Sequence, residues 1–155
     1  MISTLDKLFD KINENVKKEI KLDKLDDILS QCQGKDWTNY ANVSDVCYKR
    51  TLVKRNDLIE IIVIGWNIKQ KSPIHDHPEN GCLVKILKGS LTESTFDDKL
   101  KLIKSQKLEK NGISYQESNK ILHKIENLTN NPAFSLHIYS PPNHKTKYYS
   151  PGCRH

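Results

Sequence analysis

Two histidines separated by a single residue, His75 and His77, are the residues whose types and spacing most directly suggest chemistry. In an extended chain, residues two apart point to the same side, so the two imidazoles can converge on one metal ion. They lie in the segment 72–89, SPIHDHPENGCLVKILKG, ahead of an Asn80-Gly81 turn and an apolar run that predicts a strand. We therefore expect a metal site at the end of one strand, beside a hairpin.

A catalytic metal site needs a third protein ligand and an open coordination position, and the remaining histidines supply the candidates. His123 lies in a predicted strand, residues 121–125, that can cross the HxH segment, and it is the best third ligand on placement alone. His137 alternates with other polar residues on one face of the last predicted strand, which is more typical of a hydrogen-bonded row. His144 follows that strand, and we expect the terminal His155 to be mobile.

The elements that must position these residues follow from the spacing of apolar side chains. Helical spacing predicts a helix over residues 4–20, with Ser3 as its N-cap, and a second short helix over 25–32, ended by Gly34. β-Branched residues and regular turns predict strands over 46–53, 58–66, 82–87, 91–96, 100–105, 113–117, 121–125 and 133–140. The predicted fold class is therefore mainly β, a sandwich or barrel with short N-terminal helices that pack on a sheet.

Length and composition favour a single soluble domain, because 155 residues can bury a core without disulfides. We divide the chain into a helical segment over 1–34, a β-barrel over 42–142 and an irregular polar tail over 143–155. The longest apolar run, residues 61–66, is too short to span a membrane, and residues 1–20 lack the apolar core of a signal peptide. We therefore expect a cytoplasmic monomer with no membrane partner.

Net charge and cysteine use narrow the function classes further. The formal net charge is +6 and the pI is near 9.1, which alone would suggest a nucleic-acid-binding protein. The lysines are scattered and interleaved with acidic residues, so we expect a solvated lysine-rich surface and no nucleic-acid partner. The four cysteines, Cys32, Cys47, Cys82 and Cys153, include no CxxC pair, which argues against a zinc knuckle, and in the cytosol their thiols should be reduced.

Several short segments together resemble the thiol dioxygenases of the cupin superfamily, and cysteine dioxygenases in particular. The resemblance spans roughly residues 37–142 and rests on YKR (48–50), SPIHDH (72–77), Cys82, KILKGSLTES (85–94), LHKIEN (122–127) and SLHIYSPP (135–142). It implies a cupin-type β-barrel, or jelly roll, that covers the chain as a single cupin domain.

The motif spacings also follow the cupin pattern. From His77 to Gly89 the spacing is that of the first cupin motif, with Cys82 in place of its usual glutamate. The sequence departs from the cupin pattern at Lys69 and Lys120, where a generic cupin often has glycine. Both positions fall in predicted turns, away from the proposed site.

The resemblance implies that His75, His77 and His123 are the three ligands of Fe(II), a neutral set that differs from the two-histidine-one-carboxylate triad. A substrate that binds as a thiolate brings its own negative charge, so an anionic protein ligand is not required. The resemblance also implies that Arg50 pairs with the substrate carboxylate, which a guanidinium matches bidentately, and that Tyr48 flanks the pocket. Without the resemblance, Arg50 would be interpreted as a surface arginine.

In the last strand, the resemblance implies that Tyr139 is the active-site phenol, oriented by His137, which Ser135 holds in turn. It further implies that Cys82 forms a thioether crosslink with Tyr139. Without the resemblance, Cys82 would be interpreted as a small buried apolar residue. The implied reaction is the oxidation of the thiol of L-cysteine by O2, with both oxygen atoms transferred to sulfur, to give cysteine sulfinic acid.

Two other functions stay open from the sequence. One is a dioxygenase for another small thiol, such as 3-mercaptopropionate or cysteamine. Arg50 favours cysteine, because cysteamine has no carboxylate and the mercaptopropionate enzymes look to have glutamine at that position. The other is a non-catalytic metal-binding cupin, against which the pair of Cys82 and Tyr139 argues, because a binding module has no use for it.

Overall fold

A mainly β architecture, with helices near the N-terminus, is present in the computed structural model, which describes residues 1–117 and 120–155. The helices are α1 (Leu5–Lys17) and α2 (Asp26–Ser30), with short 3-10 helices at Leu22–Lys24 and Asp36–Tyr40. The strands are β1 (Lys49–Arg55), β2 (Glu60–Trp66), β3 (Cys82–Lys88), β4 (Leu91–Phe96), β5 (Leu102–Leu108), β6 (Ile113–Gln116), β7 (Leu122–Glu126) and β8 (Ala133–Tyr139). The predicted fold class is confirmed.

The strands form two antiparallel sheets that pack on each other. The larger sheet has the order β1-β2-β8-β3-β6 and the smaller has the order β5-β4-β7. An apolar cluster between them takes side chains from both sheets, such as Ile64, Val84 and Ile125. A second cluster, which includes Leu8 and Leu136, lies on the other face of the larger sheet, where α1 and α2 cover it. The chain therefore forms three layers: helices, large sheet and small sheet.

The register of β2 and β8, at the middle of the larger sheet, decides which side chains face the smaller sheet. Alternation along β8 places Leu136 and Ile138 in the cluster under the helices. Ser135, His137 and Tyr139 consequently share the opposite face, as the sequence pattern predicts. This face carries the polar row described below.

Helix α1 differs from the prediction in its cap and its length. Thr4, not Ser3, is the N-cap, and its side-chain oxygen accepts the N–H of Lys7 at 3.2 Å. The N–H of Leu5 donates to the Asp36 carboxylate at 2.9 Å, so a distant residue satisfies a second free donor. The helix ends at Lys17, three residues before the predicted end.

Most strands also differ from the prediction by one to three residues at one or both ends, and one unusual turn residue is explained. Strand β1 begins at Lys49 because residues 45–47 form a bend, and β5 begins at Leu102, two residues after its predicted start. Lys69 adopts a φ of 66°, which explains why a generic cupin often has glycine there.

Two of the four cysteines differ from the prediction that all thiols are reduced. Cys47, ahead of β1, and Cys153, in the tail, form a disulfide with their Cα atoms 6.0 Å apart. The prediction was wrong for this pair because the tail folds back beside β1 and joins residues 106 positions apart, which no local pattern indicates. Cys32 and Cys82 are free, and Cys82 is buried.

Within the described parts of the chain, no helix is long and apolar enough to cross a membrane. The domain boundaries, the monomeric state, the cytoplasmic location and the absence of a nucleic-acid partner stay predictions.

Leu8 tests the packing of α1 on the larger sheet, because its side chain is completely buried there. We expect Leu8→Ala to lower the free energy of unfolding by about 2–5 kcal/mol, because it removes buried apolar area and leaves a cavity. Urea denaturation followed by circular dichroism measures the change. Lys11→Ala, on the exposed face of the same helix, is the matched control and should change the free energy by less than about 0.5 kcal/mol. Equal losses in the two variants would contradict this packing.

Candidate active site

The segment that carries His75 and His77 is not a regular strand, contrary to the prediction. Two prolines flank it, and proline lacks the N–H that a strand ladder requires. The backbone of His75 nevertheless exchanges hydrogen bonds of 3.0 and 3.1 Å with that of His123 in β7. On its other side His75 pairs with Tyr148 of the tail. His75 therefore lies between the smaller sheet and the tail, and the predicted crossing with His123 is present.

Three imidazoles converge at this crossing. One nitrogen from each of His75, His77 and His123 can be chosen such that all lie within 4.8 Å of one another. The ring centroid of His123 lies 4.1 Å from that of His77 and 4.5 Å from that of His75. His77 and His123 are buried, whereas His75 is partly exposed. A set of three histidines that is open on one side is typical of catalytic metal centres.

Hydrogen bonds at the far side of two rings assign their tautomers. Nδ1 of His75 donates to the Pro73 carbonyl at 2.8 Å, and Nδ1 of His123 donates to the Glu93 carboxylate at 3.1 Å. Each Nε2 is then an unprotonated acceptor, and the two Nε2 atoms face each other at 3.0 Å. Two facing lone pairs repel each other unless a cation lies between them. Outer acceptors that fix Nδ1 in this way are the usual arrangement for metal-binding histidines.

His77 gives the strongest sign that a metal fits here. Both of its ring nitrogens are buried and have no hydrogen-bond partner among residues 1–117 and 120–155. Such an arrangement is costly unless something else satisfies the ring. Burial lowers the pKa of His77 well below its usual range and that of His75 to about 4, so both rings are neutral near pH 7. Neutral imidazoles with free lone pairs are the form that binds a metal.

His144, the other candidate ligand considered in the tail, lies outside this set. Its Nε2 contacts the Asp76 carboxylate at 2.9 Å at the rim of the cavity described below. The same carboxylate oxygen accepts the N–H of Lys147 at 2.9 Å. These contacts hold the tail against the HxH segment.

Glu93 of β4 is a residue of the site that the sequence analysis missed. Its buried carboxylate accepts hydrogen bonds from Ser114 Oγ at 2.7 Å, Gln106 Nε2 at 3.0 Å, Gln116 Nε2 and the His123 ring. These donors make it possible to bury the charge, and the charge in turn orients the His123 ring. An acidic residue within a buried strand was the signal that could have identified it.

A row of hydrogen bonds runs along the inner face of β8. Trp66 Nε1 donates to Ser135 Oγ at 2.9 Å, and Ser135 Oγ lies 2.8 Å from His137 Nε2. The other ring nitrogen of His137, Nδ1, lies 3.3 Å from the Tyr139 hydroxyl. The row predicted for Ser135, His137 and Tyr139 is therefore present, and the buried Trp66 anchors it.

The partners along this row set the direction of its protons. Ser135 Oγ accepts from Trp66, and among the described residues the acceptor within reach of its own proton is His137 Nε2. In that tautomer the neutral His137 ring carries its proton on Nδ1 and donates to Tyr139. Burial lowers the pKa of His137 to about 3, which keeps the ring neutral. Burial also raises the pKa of Tyr139, so the phenol stays protonated. The O–H of Tyr139 is consequently free to donate to another partner.

Cys82 and Tyr139 are direct cross-strand partners on β3 and β8. Residues opposed in this way have their Cβ atoms about 4.5–5.5 Å apart, so the thiol and the phenol share one face. The sulfur of Cys82 lies 3.9 Å from His137 Nδ1. Burial raises the pKa of Cys82, so its side chain is a protonated thiol near pH 7.

A cavity of about 240 Å³ is lined by two of the three histidines, His75 and His123. The side chains that line it and bear on chemistry are Tyr48, Arg50, His75, His123, His137 and Tyr139. Tyr48 is stacked on Trp66, with ring centroids 4.6 Å apart, and the Arg50 guanidinium lies 5.6 Å from the centroid of the Tyr139 ring. Both of the predicted substrate contacts thus face the cavity.

An ion pair at the wall of this cavity was not predicted. Glu60, whose side chain is 5% exposed, accepts a hydrogen bond from Arg55 Nε at 2.7 Å. Across the described chain, no carboxylate lies within ion-pair distance of Arg50. Arg50 is therefore a cation that faces the cavity without a bound anion. A charged residue inside the apolar β2 sequence was the signal for Glu60.

The tail packs beside the cavity and contacts Tyr48. The Tyr48 hydroxyl donates to the Cys153 carbonyl at 3.4 Å, and His155 Nε2 lies 3.1 Å from the Tyr48 carbonyl oxygen. His155, which we expected to be mobile, lies with its ring 4.6 Å from that of Tyr48, and its backbone N–H and carbonyl both hydrogen-bond to the Tyr148 hydroxyl. Burial raises the pKa of Tyr48, so it stays protonated.

Solved structures support the fold alone. A double-stranded β-helix protein from Klebsiella pneumoniae has a TM-score of 0.63 and 16% identity, over 74% of this chain and 94% of that one. A Thermus thermophilus protein has a TM-score of 0.60 and 15% identity, over 69% of this chain and 95% of that one. The predicted cupin-type architecture is confirmed by these similarities.

Sequence comparisons identify the family. The cysteine dioxygenase type 1 of Danio rerio is 31% identical over 153 residues, which cover 92% of this chain and 73% of the relative. The enzyme of that name from Rattus norvegicus is 33% identical over 134 residues, which cover 80% of this chain and 67% of the relative. The family model for cysteine dioxygenase type I matches residues 1–151. The chain therefore belongs to the cysteine dioxygenase type I family.

Proposed function

We propose that this chain is a metal-dependent dioxygenase that oxidises the thiol of L-cysteine with O2 to give cysteine sulfinic acid. The observation that carries the proposal is a set of three neutral imidazoles beside a cavity in which Arg50 has no carboxylate partner among the described residues. Membership of the cysteine dioxygenase type I family supports the same reaction. The net change adds both atoms of O2 to one thiol, RSH + O2 → RSO2H.

His75, His77 and His123 would hold the metal, and we take it to be Fe(II). When bound, ferrous iron supplies the redox chemistry by which O2 reacts with a thiolate. Because the three protein ligands are neutral, the negative charge at the site comes from the substrate thiolate. The hydrogen bond from His123 to Glu93 keeps the His123 ring oriented and raises its basicity as a ligand.

Arg50 would bind the substrate carboxylate, because a guanidinium matches a carboxylate bidentately. Tyr139 would donate its free O–H to an oxygen of the bound substrate, while His137 and Ser135 hold the phenol in place. Tyr48, fixed by its stacking on Trp66, would form an apolar wall that excludes water.

Cysteamine and 3-mercaptopropionate are the competing small thiols. Cysteamine would leave the largely buried Arg50 guanidinium without an anion, which is unfavourable in a site of low polarity. 3-Mercaptopropionate satisfies Arg50 but lacks the amine of cysteine. A non-catalytic metal-binding cupin would show no oxygen uptake with any of these thiols.

We also propose a thioether between Cys82 Sγ and a ring carbon of Tyr139. One C–S bond forms, an S–H and an aromatic C–H bond are broken, and the two electrons and two protons released reduce O2, the co-substrate, to hydrogen peroxide. The cross-strand pairing of the two residues supports this bond. It would restrain the Tyr139 ring and remove a free thiol from the site.

Loss of one ligand should remove the metal. We expect His123→Ala to lower the iron content of the purified protein by more than about tenfold and to abolish oxygen uptake with L-cysteine. Plasma mass spectrometry measures the iron. His155→Ala, which removes a histidine outside the set, is the matched control and should keep its iron. Full iron loading of His123→Ala would show that the ligand set is wrong.

Loss of the Arg50 cation should weaken recognition of the substrate and leave the binding of the metal unchanged. We expect Arg50→Gln to lower kcat/KM for L-cysteine by the equivalent of about 2–5 kcal/mol, with unchanged iron content, because a charge-assisted carboxylate pair is lost. Lys49→Gln, an exposed neighbour on the same strand, is the control and should keep normal kinetics. If the unmutated enzyme oxidises cysteamine as efficiently as cysteine, the role given to Arg50 is incorrect.

Denaturing mass spectrometry of the reduced protein tests the thioether. After turnover with iron, cysteine and O2, we expect a mass lower by about 2 Da and a peptide that joins the Cys82 and Tyr139 segments. Reduction removes any contribution of the Cys47–Cys153 disulfide. The linked peptide should be absent from Cys82→Ala and Tyr139→Phe and present in Cys32→Ala, the other free cysteine. Separate, unmodified peptides after exhaustive turnover would refute the bond.

A further inference from the structure

The ion pair of Arg55 and Glu60 has no part in the reaction proposed above. The two residues are direct partners at the ends of β1 and β2, and both side chains line the cavity. Glu60 is almost completely buried, whereas Arg55 is 38% exposed. Because a buried ion pair is often no more stabilising than apolar residues of similar volume, its position at the cavity points to a role in the site.

Glu60 lines the same cavity as Arg50, the cation that would bind the substrate. Glu60 is the direct strand partner of Tyr139, and the Arg50 guanidinium lies over the Tyr139 ring. Burial lowers the pKa of Arg50, but Tyr139, Tyr48 and Glu60 raise it and leave it above its ordinary value, so the charge of Glu60 acts on Arg50. Glu60 is therefore a carboxylate of the protein itself that can compete with the substrate for Arg50.

We propose that Arg55 determines specificity by holding the Glu60 carboxylate, which keeps Arg50 unpaired for the carboxylate of the substrate. With the pair intact, Arg50, Arg55 and Glu60 together carry one net positive charge, which matches a thiol with a single carboxylate. This inference rests on the proposed role of Arg50.

Removal of each partner has a different consequence. Without Arg55, Glu60 loses its counter-ion and turns to Arg50, where it competes with the substrate. Without Glu60, two cations face the cavity, and a thiol with two carboxylates becomes a better ligand. Without both, Arg50 is again the unpaired cation, so the binding of L-cysteine recovers. A purely structural role of the pair would not produce this recovery.

The test is the dissociation constant of L-cysteine, measured by calorimetric titration of the iron-loaded enzyme without oxygen. We expect Arg55→Gln to raise this constant by about tenfold or more, and Arg55→Gln/Glu60→Gln to return it to within about threefold of the original value. Lys54→Gln, which removes a cation of the same strand that pairs with Asp6 outside the cavity, is the matched control and should leave the constant unchanged. Cysteamine has no carboxylate to compete with Glu60, so it should not bind more weakly to Arg55→Gln than to the unmutated enzyme.

If Arg55→Gln alone does not fold, Glu60→Gln provides an independent test of the inference. We expect Glu60→Gln to bind mercaptosuccinate, a thiol with two carboxylates, about tenfold more tightly than the unmutated enzyme does. The double variant, which has lost the second cation, should not show this gain.

Two results would overturn the inference. One is an unchanged dissociation constant of L-cysteine in Arg55→Gln. The other is a constant that is raised in Arg55→Gln and stays raised in Arg55→Gln/Glu60→Gln. Arg50→Gln separates these results from a failure of the proposed function. If Arg50→Gln binds L-cysteine normally, the carboxylate role of Arg50 fails and this inference fails with it. If Arg50→Gln binds weakly while Arg55→Gln binds normally, this inference alone fails.

Discussion

The exchange of backbone hydrogen bonds between His75 and His123 is the contact on which the whole site depends. It joins the segment between β2 and β3, which lacks a regular ladder, to β7 of the smaller sheet. Each ring is then held from its outer side, by the Pro73 carbonyl and by Glu93, so that both Nε2 atoms point to one place. The protein's own contacts therefore orient the two rings, which reduces the conformational entropy that binding of a metal would cost.

Because this contact is buried, the site depends on how the charges around it are paired. In a poorly polar interior, an unpaired charge is costly, so buried charges need close partners. Glu93 is satisfied by its donors and Glu60 by Arg55, while burial keeps the histidines neutral. Arg50 differs, since no carboxylate of the described chain is paired with it. Its attraction for an anion is strong for the same physical reason that makes it costly without one.

The polar row on β8 shows how local alternation and distant contacts combine. Alternation puts Ser135, His137 and Tyr139 on one face, but it leaves the direction of their protons undecided. The indole N–H of Trp66, 69 positions away from Ser135, donates to the serine oxygen and leaves His137 Nε2 as the acceptor for the serine proton. The free phenolic proton of Tyr139 is thus a consequence of tertiary packing between β2 and β8.

The sequence by itself determined the parts of this protein that depend on local physics. β-Branched residues and turn residues located every strand of the structure, and helical spacing located α1, because these patterns depend on the local chain and on which side of an element is buried. The identities of His75, His77 and His123 followed from residue type, spacing and resemblance. Element ends were less certain, since the cap at Thr4 and the irregular HxH segment depend on neighbours outside the local pattern.

Only the tertiary structure decided which polar groups face one another. The Glu93–His123 hydrogen bond spans 30 positions, and the Cys47–Cys153 pair spans 106. Arg55 and Glu60 are close in sequence, yet only the fold shows that they face the cavity and not solvent. Spacing records which face of one element a residue occupies, but it does not record which other element covers that face. For this reason the convergence of the three histidines was predictable, whereas the groups that orient them and balance the charges of the site were not.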